Sequence, residues 1–156
     1  MTAPIKELNL KGKIAVITGG SGLIGSTMAK ALAVHGVKTA IIGRNLEKTQ
    51  KLADEIKSKY GVESIGVSAD VLNRSSIEEA KKIINSKLGK IDYLINGAGG
   101  NSATATSKVE KIQEGDKPED TIFGLLEEGF DSTFDLNFKG TLIPTLVFAT
   151  DMLEKK

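Results

Sequence analysis

Lys13-Ile-Ala-Val-Ile-Thr-Gly-Gly-Ser-Gly-Leu-Ile-Gly25 decides the fold of this chain. Ile14 to Ile17 form a short apolar run, suited to a strand buried on both faces. Gly19 to Gly25 break that run. Met28, Ala31 and Leu32 then recur at helical spacing until Gly36 stops the helix. A strand, a glycine turn and a helix in this order place free helix N–H groups opposite whatever lies on the turn. The pyrophosphate of a dinucleotide needs a close backbone approach that side chains would block. Gly19 suits the tight turn, Gly22 the approach, and Gly25 the packing of helix on strand. Thr18, Ser21, Leu23 and Ile24 complete the candidate cradle. The alternative is an ordinary glycine-rich βα turn, and the spacing excludes a Walker A loop because no Lys follows in the required place.

Outward from the turn the same alternation continues. Val37 to Gly43 read as a second apolar strand, and Asn45 can cap a helix with Leu46, Leu52, Ala53 and Ile56 inward. Ser64 to Ala69 make a weaker third strand. Ser75 and Glu78 have capping-box spacing before a stripe of Ile77, Ala80, Ile83, Ile84 and Leu88. Ile91 to Ile95 are the fourth strand. Strands alternating with helices through short loops imply a parallel sheet with right-handed crossovers. The expected fold is α/β, a doubly wound Rossmann-type sheet of about four strands in the order 3-2-1-4. Asn101 to Asp120 read as a long polar loop. A last helix is expected from about Phe130 to Leu153, bent at Pro144, with Phe134, Phe138, Leu142, Leu146, Ala149 and Leu153 along one side.

Composition narrows the function. At 156 residues one domain is expected, with core enough to fold without staples. The 21 basic and 20 acidic residues leave a net charge of +1, which argues against nucleic acid as a partner. The chain has no cysteine and one histidine, His35, so no metal site is expected and the composition leans toward a reducing compartment. No apolar stretch is long enough for a membrane span, and the polar start from Met1 to Lys11 is no signal peptide. A cytoplasmic location follows as the expectation. The 17 glycines stand well above an average usage of ~7%.

The end of the second strand bears on the cofactor. An acidic residue about 20 positions past the turn would hold the ribose 2′-OH of NAD. Gly43-Arg44-Asn45 stand there instead, and Arg44 can pair with a 2′-phosphate where a carboxylate would repel it. NADP is therefore favoured, with NAD the alternative. A merely solubilising Arg44 is the competing explanation.

Three further segments give the chain its resemblance to the short-chain dehydrogenase/reductase family along nearly its whole length. Asp70-Val71 follow the third strand, where the family's Asp touches the adenine. Asn96-Gly97-Ala98-Gly99 end the fourth strand and resemble the family's Asn-Asn-Ala-Gly motif, which supports the sheet and lines the nicotinamide side. Asn137-Phe-Lys-Gly140 resemble the Asn-x-x-Gly segment, whose Asn helps hold a proton-relay water. The resemblance implies a catalytic role for Asn137 and a small-molecule carbonyl or alcohol as substrate. Hydride transfer in this family uses a Tyr as general acid/base, a Lys four residues on, and a Ser. Here Tyr60 is followed by Ser64 and Tyr93 by Gly97, so neither has its Lys. The chain reads as one NAD(P)-binding domain, 1–156, lacking the C-terminal catalytic portion and inactive by itself.

Two departures bear on the subfamily. The Gly19-x-x-Gly22-x-x-Gly25 spacing is the one usual in the family's longer, epimerase-like branch, which leaves a sugar-nucleotide epimerase fragment as one alternative. The 41 positions from Asn96 to Asn137, the run Asn96 to Asn101, and Phe134 to Pro144 are similar to D-mannonate oxidoreductases, or fructuronate reductases. That similarity implies a sugar acid as substrate. A noncatalytic dinucleotide-binding module or interaction subunit is the reading from another class. The open fourth strand and the apolar stripe of the last helix lead to the expectation of a homo-oligomer.

Overall fold

The computed structural model describes residues 9–155, so the reading of the polar start falls outside the described residues over 1–8. Four strands, β1 (Ile14–Thr18), β2 (Lys38–Gly43), β3 (Ser64–Ser68) and β4 (Tyr93–Asn96), form one sheet in the order β3-β2-β1-β4. All three pairings are parallel, as the alternating pattern requires. Helices α1 (Leu23–Val34), α2 (Leu46–Tyr60) and α3 (Arg74–Lys87) make the crossovers. β1, the central strand, is buried at every position. One apolar cluster, with α1 and α2, gathers Ala15, Ile17, Ile41 and Ile56 on one face of the sheet. The other, with α3, gathers Val16, Ile42, Ile84 and Phe148 on the opposite face. Among the described residues, no helix is long and apolar enough to cross a membrane.

Local details depart from the sequence pattern. In α1 the buried residues are Gly25, Ala29 and Ala33, whereas Met28 is 41% exposed. Small residues bring this helix close to the sheet, so its inward face is quieter in hydropathy than its outward one. In α2, Thr49 takes the inward place expected of Leu46, which is exposed. The expected capping box at Ser75 and Glu78 does not form. Asn73 caps α3 by accepting the Ser76 N–H at 3.1 Å, and Glu78 pairs with Arg74 instead. An Asn two residues upstream offers an acceptor before the helix starts, leaving Ser75 already inside it.

The second half differs more. The segment 101–126 carries only short 3-10 turns at Ala103–Ala105, Pro118–Asp120 and Ile122–Gly124. It folds back on itself, with the Lys108 N–H donating to the Asp120 carbonyl at 3.0 Å. The expected single helix is three pieces: α4 (Glu127–Phe134), a π turn over Asp135–Lys139, and α5 (Gly140–Leu153), with Pro144 buried inside α5.

A carboxylate fastens α5 to the sheet. Asp151 is 2% exposed and accepts from the Ile91 N–H at 3.1 Å, just before β4. Lys81 of α3 lies 2.7 Å from it, and the Asn85 amide donates at 3.4 Å. Burial alone would push this carboxyl up; Lys81, the Ile91 N–H and Asn85 outweigh it and hold it below the ordinary carboxylate range.

Candidate functional site

The glycine turn has the geometry that its sequence implies. Gly19 has φ +62°, and a Cβ there would lie 2.6 Å from the Gly97 carbonyl oxygen. A Cβ on Gly25 would meet the Gly19 oxygen at 2.5 Å and Gly20 Cα at 2.8 Å, so only glycine lets α1 start this close to the turn. Gly22 is the N-cap of α1 and makes no side-chain cap bond. The first N–H groups of α1 therefore lack a side-chain cap, which suits them to an anion. Leu23 and Ile24, the first two residues of α1, are 89% and 70% exposed. Gly20 adds a constraint missed in the sequence: its Cβ would stand 2.7 Å from the Ile17 oxygen and 3.0 Å from Ile41 Cγ2.

Thr18 is fully buried. Its hydroxyl accepts from the N–H groups of Gly97 and Ala98 at 3.1 and 3.2 Å. This side chain ties the glycine turn to the end of β4, so it shapes the site from beneath rather than lining it. No local pattern shows such a tie, because its partners lie nearly 80 residues on.

The two sides of the turn meet in a cavity of about 210 Å³. Gly19, Arg44, Asp70, Val71, Ala98 and Gly99 all line it, together with Gly43 and Leu136. The volume is below the ~300–1,000 Å³ of common small-molecule sites, so it suits one end of a dinucleotide. Arg44 is exposed, and its backbone is held by the Ser68 hydroxyl, which donates to the Arg44 carbonyl at 3.1 Å. Ser21 stands over the same strand end, its Oγ 3.2 Å from where a Cβ on Gly43 would be. Asn45 uses its side chain to cap α2, accepting the Lys48 N–H at 2.9 Å. Asp70 accepts the Leu72 N–H at 3.0 Å, which fixes the carboxylate at the rim. Val71 is buried and packs on Gly140, where a Cβ would lie 3.0 Å from Val71 Cγ2.

Two asparagines flank the end of β4. Asn137, inside the π turn, grips the backbone of Gly100 from both sides. Its Oδ1 accepts the Gly100 N–H at 2.9 Å and its Nδ2 donates to the Gly100 carbonyl at 3.0 Å. Gly99 is glycine beside it because a Cβ would sit 2.8 Å from Asn137 Oδ1. Asn96 donates through Nδ2 to Thr145 of α5 at 3.0 Å, while its Oδ1 is buried without a partner. The structure thus brings the sixteen residues singled out in the sequence together at the C-terminal side of the sheet, where doubly wound sheets bind ligands. Of these, Thr18 lies beneath the others.

Comparison with known proteins gives the family. An uncharacterized oxidoreductase of Bacillus subtilis, UxuB, is 44% identical over 151 residues, 97% of this chain and 53% of the relative. A crystal structure from Haemophilus influenza, provisionally assigned as a D-mannonate oxidoreductase and holding NAD, superposes with a TM-score of 0.86 at 38% identity. The match covers 92% of this chain and 51% of that one. An alcohol dehydrogenase of Thermococcus sibiricus complexed with 5-hydroxy-NADP gives a TM-score of 0.72 at 28% identity, over 91% of this chain and 54% of that one. The chain spans about half the length of the curated relatives it matches. The family model for short chain dehydrogenases matches residues 13–156, and with the glycine turn, the strand-end Asn96 and the Asn137 grip in place, the chain belongs to the short-chain dehydrogenase family.

Proposed function

We propose that this chain is the cofactor-binding part of an NADP(H)-dependent oxidoreductase, with NAD(H) as the weaker cofactor. One observation carries the reading: the cavity that joins Gly19, Arg44, Asp70, Ala98 and Gly99 from four separate segments. The residues fit the group. Gly19 and Gly25 leave no room for a Cβ, and the uncapped start of α1 stands beside them to take a pyrophosphate. Leu23 and Ile24 would offer backbone N–H groups there and Ser21 its hydroxyl, while Gly22, whose own N–H is taken by the Gly19 carbonyl at 3.0 Å, would leave the approach open. Asp70 and Val71 would border the adenine, and Arg44, beside Asn45, the 2′-phosphate. Asn96 to Gly99 would line the nicotinamide side. When bound, the cofactor supplies or accepts a hydride at a carbonyl or carbinol carbon.

The substrate proposed is a sugar acid of the fructuronate/mannonate type. Similarity to the NAD-holding structure supports it, and an arginine at position 44 does not conflict with such a substrate. Asn137 would act at the catalytic end, and the acid/base pair is expected from residues other than these 156, which hold no Tyr-x-x-x-Lys. The chain alone is therefore expected to bind cofactor without turnover, and to self-associate through the open side of β4 and the exposed apolar stripe of α4 and α5.

The test is a fluorescence titration of the 156-residue chain with NADPH and NADH. Saturable binding with NADPH the tighter ligand supports the reading; no binding of either sinks it. Fructuronate is the first substrate for a longer protein, with simple ketones and 3-oxoacyl thioesters as controls.

A further inference from the structure

A row of threonines on α5 links the two asparagines of the site. The Thr141 hydroxyl donates to the Asn137 carbonyl at 2.9 Å, and the Thr145 hydroxyl donates to the Thr141 carbonyl at 2.7 Å. Bonds of this kind, from a helical Thr to the carbonyl four residues back, are common in themselves. Thr145 does something more, because Asn96 of β4 approaches the same oxygen at 3.0 Å.

A hydroxyl has one proton. Thr145 has given it to Thr141, so toward Asn96 it can only accept. The Asn96 amide must present Nδ2 to it; the flipped amide would set two acceptors against each other. Oδ1 is thereby fixed on the other side of the amide, where it is buried and unpartnered. A buried carbonyl without a donor is costly, and its orientation here is imposed rather than chosen by a bond of its own.

We infer that Thr145 is a positioning residue that sets the Asn96 amide and, through Thr141, holds Asn96 and Asn137 in one frame around the Gly97–Gly100 segment. The inference rests on reading that segment as part of the cofactor site. Asn96 precedes the segment and Asn137 grips its last residue, so α5 holds one end and the π turn that leads into it holds the other. Thr145 itself lies along an apolar groove and is not among the residues that line the candidate cofactor cavity.

The experiment compares Thr145→Val, which keeps the shape and loses the hydroxyl, with Thr145→Ser, which keeps the hydroxyl. Hydrogen exchange of the Asn96 side-chain amide is followed by NMR on the 15N-labelled chain, and NADPH affinity is measured on the same samples. In wild type and Thr145→Ser the Asn96 Nδ2 protons should be protected. In Thr145→Val they should exchange about tenfold faster, with NADPH binding weakened roughly three- to tenfold, the worth of one neutral hydrogen bond. Should Thr145→Val not fold, Thr145→Ala at the exposed helix surface gives the same readouts. Unchanged amide exchange in the hydroxyl-less variant, or equal damage from Thr145→Ser, overturns the inference. Absence of NADPH binding in wild type overturns the cofactor reading alone, and the amide exchange still judges Thr145.

Discussion

The two edges of the sheet are finished in opposite ways. At the β3 edge, α2 leans so closely that a Cβ on Gly66 would lie 2.3 Å from the Gln50 nitrogen. The Gln50 side chain accepts the Gly66 N–H at 3.3 Å, and Ser64 pairs its hydroxyl with Thr39 at 2.8 Å. Polar side chains thus satisfy a short strand where no further strand follows. At the β4 edge nothing comparable covers Tyr93 to Asn96 among the described residues. A groove of about 550 Å³ runs along it, walled by Leu32 of α1 and by Ala149 and Met152 of α5. An unpaired strand with apolar walls is a template for another strand, whereas a strand plugged by Gln50 is not. Among the described residues the β3 side is closed by side chains and the β4 side is open.

That contrast can be tested by the energy each side holds. Asp151→Asn should cost the most, roughly 2–3 kcal/mol. This is below the ~3–5 kcal/mol of a fully buried pair because Lys81 keeps a fifth of its side chain in water. Gln50→Ala, at the finished edge, removes a long hydrogen bond to Gly66 and a solvent-exposed one to Asp54 and should cost about 0.5–1 kcal/mol. Urea midpoints of the two variants give the comparison directly. Equal losses would show that α5 is not fastened through Asp151.

The candidate cofactor cavity straddles the sheet between these edges, with Arg44 and Asp70 from one side and Ala98 and Gly99 from the other. Arg44→Asp should weaken NADPH by roughly 1.5–3 kcal/mol, the range of a hydrogen bond to a charged group, and leave NADH nearly unchanged. Equal losses for both cofactors would mean that Arg44 does not meet the 2′-phosphate. The effect should survive in Thr145→Val, since the two act on opposite ends of the site.

Much of this was legible in the sequence because it depends on local chemistry. Four β-rich runs separated by helical stripes allow few arrangements, and Gly19 and Gly25 are needed for reasons that their neighbours state. What escaped depends on contacts between distant segments. Thr18 looked like part of a cradle, yet its hydroxyl serves Gly97 and Ala98, nearly 80 residues on. Gly20 is squeezed by Ile41 of the next strand, which no spacing rule shows. The stripe of α1 was misplaced because Gly25, Ala29 and Ala33 carry little hydropathy and are chosen for closeness. Pro144 drew attention as the irregular point of the last helix, while the π turn lies at Asp135–Lys139, where Asn137 reaches Gly100. Asp151 and Thr145 are not visible in the sequence, because nothing local on α5 separates them from its other polar residues, Thr141 and Thr150.

Acid should weaken the β4 side. Burial favours the protonated form of Asp92 too, but Lys155, the Ile14 N–H and Lys13 outweigh it, so both Asp92 and Asp151 sit below their ordinary value of 3.8 when folded. A carboxyl with a depressed folded pKa contributes stability above its unfolded pKa and loses it as the pH falls through the folded one. The stability gap between wild type and Asp151→Asn should therefore be full from neutral pH down to about 4 and close below that. A gap that stays constant into acid would show that Asp151 acts by shape and not by charge.

The smallest change in stability, and a decisive change in association, is expected at Tyr93. This side chain is 38% exposed on the open edge, so Tyr93→Lys removes little packing and should change stability by about 0.5 kcal/mol or less. A lysine on an edge strand opposes pairing with another chain, because an approaching backbone would have to bury its charge. The apolar residues Phe134, Phe138, Leu142 and Leu146 remain exposed on the neighbouring helices and give a second route to association. Sedimentation at low micromolar concentration separates the routes. If the β4 edge dominates, wild type should associate and Tyr93→Lys should run as a monomer. If the helix stripe dominates, Tyr93→Lys should associate as wild type does, while Phe138→Glu should not. A clean wild-type monomer with a cooperative melt would refute both, and would mean that the groove along β4 is satisfied without a second chain.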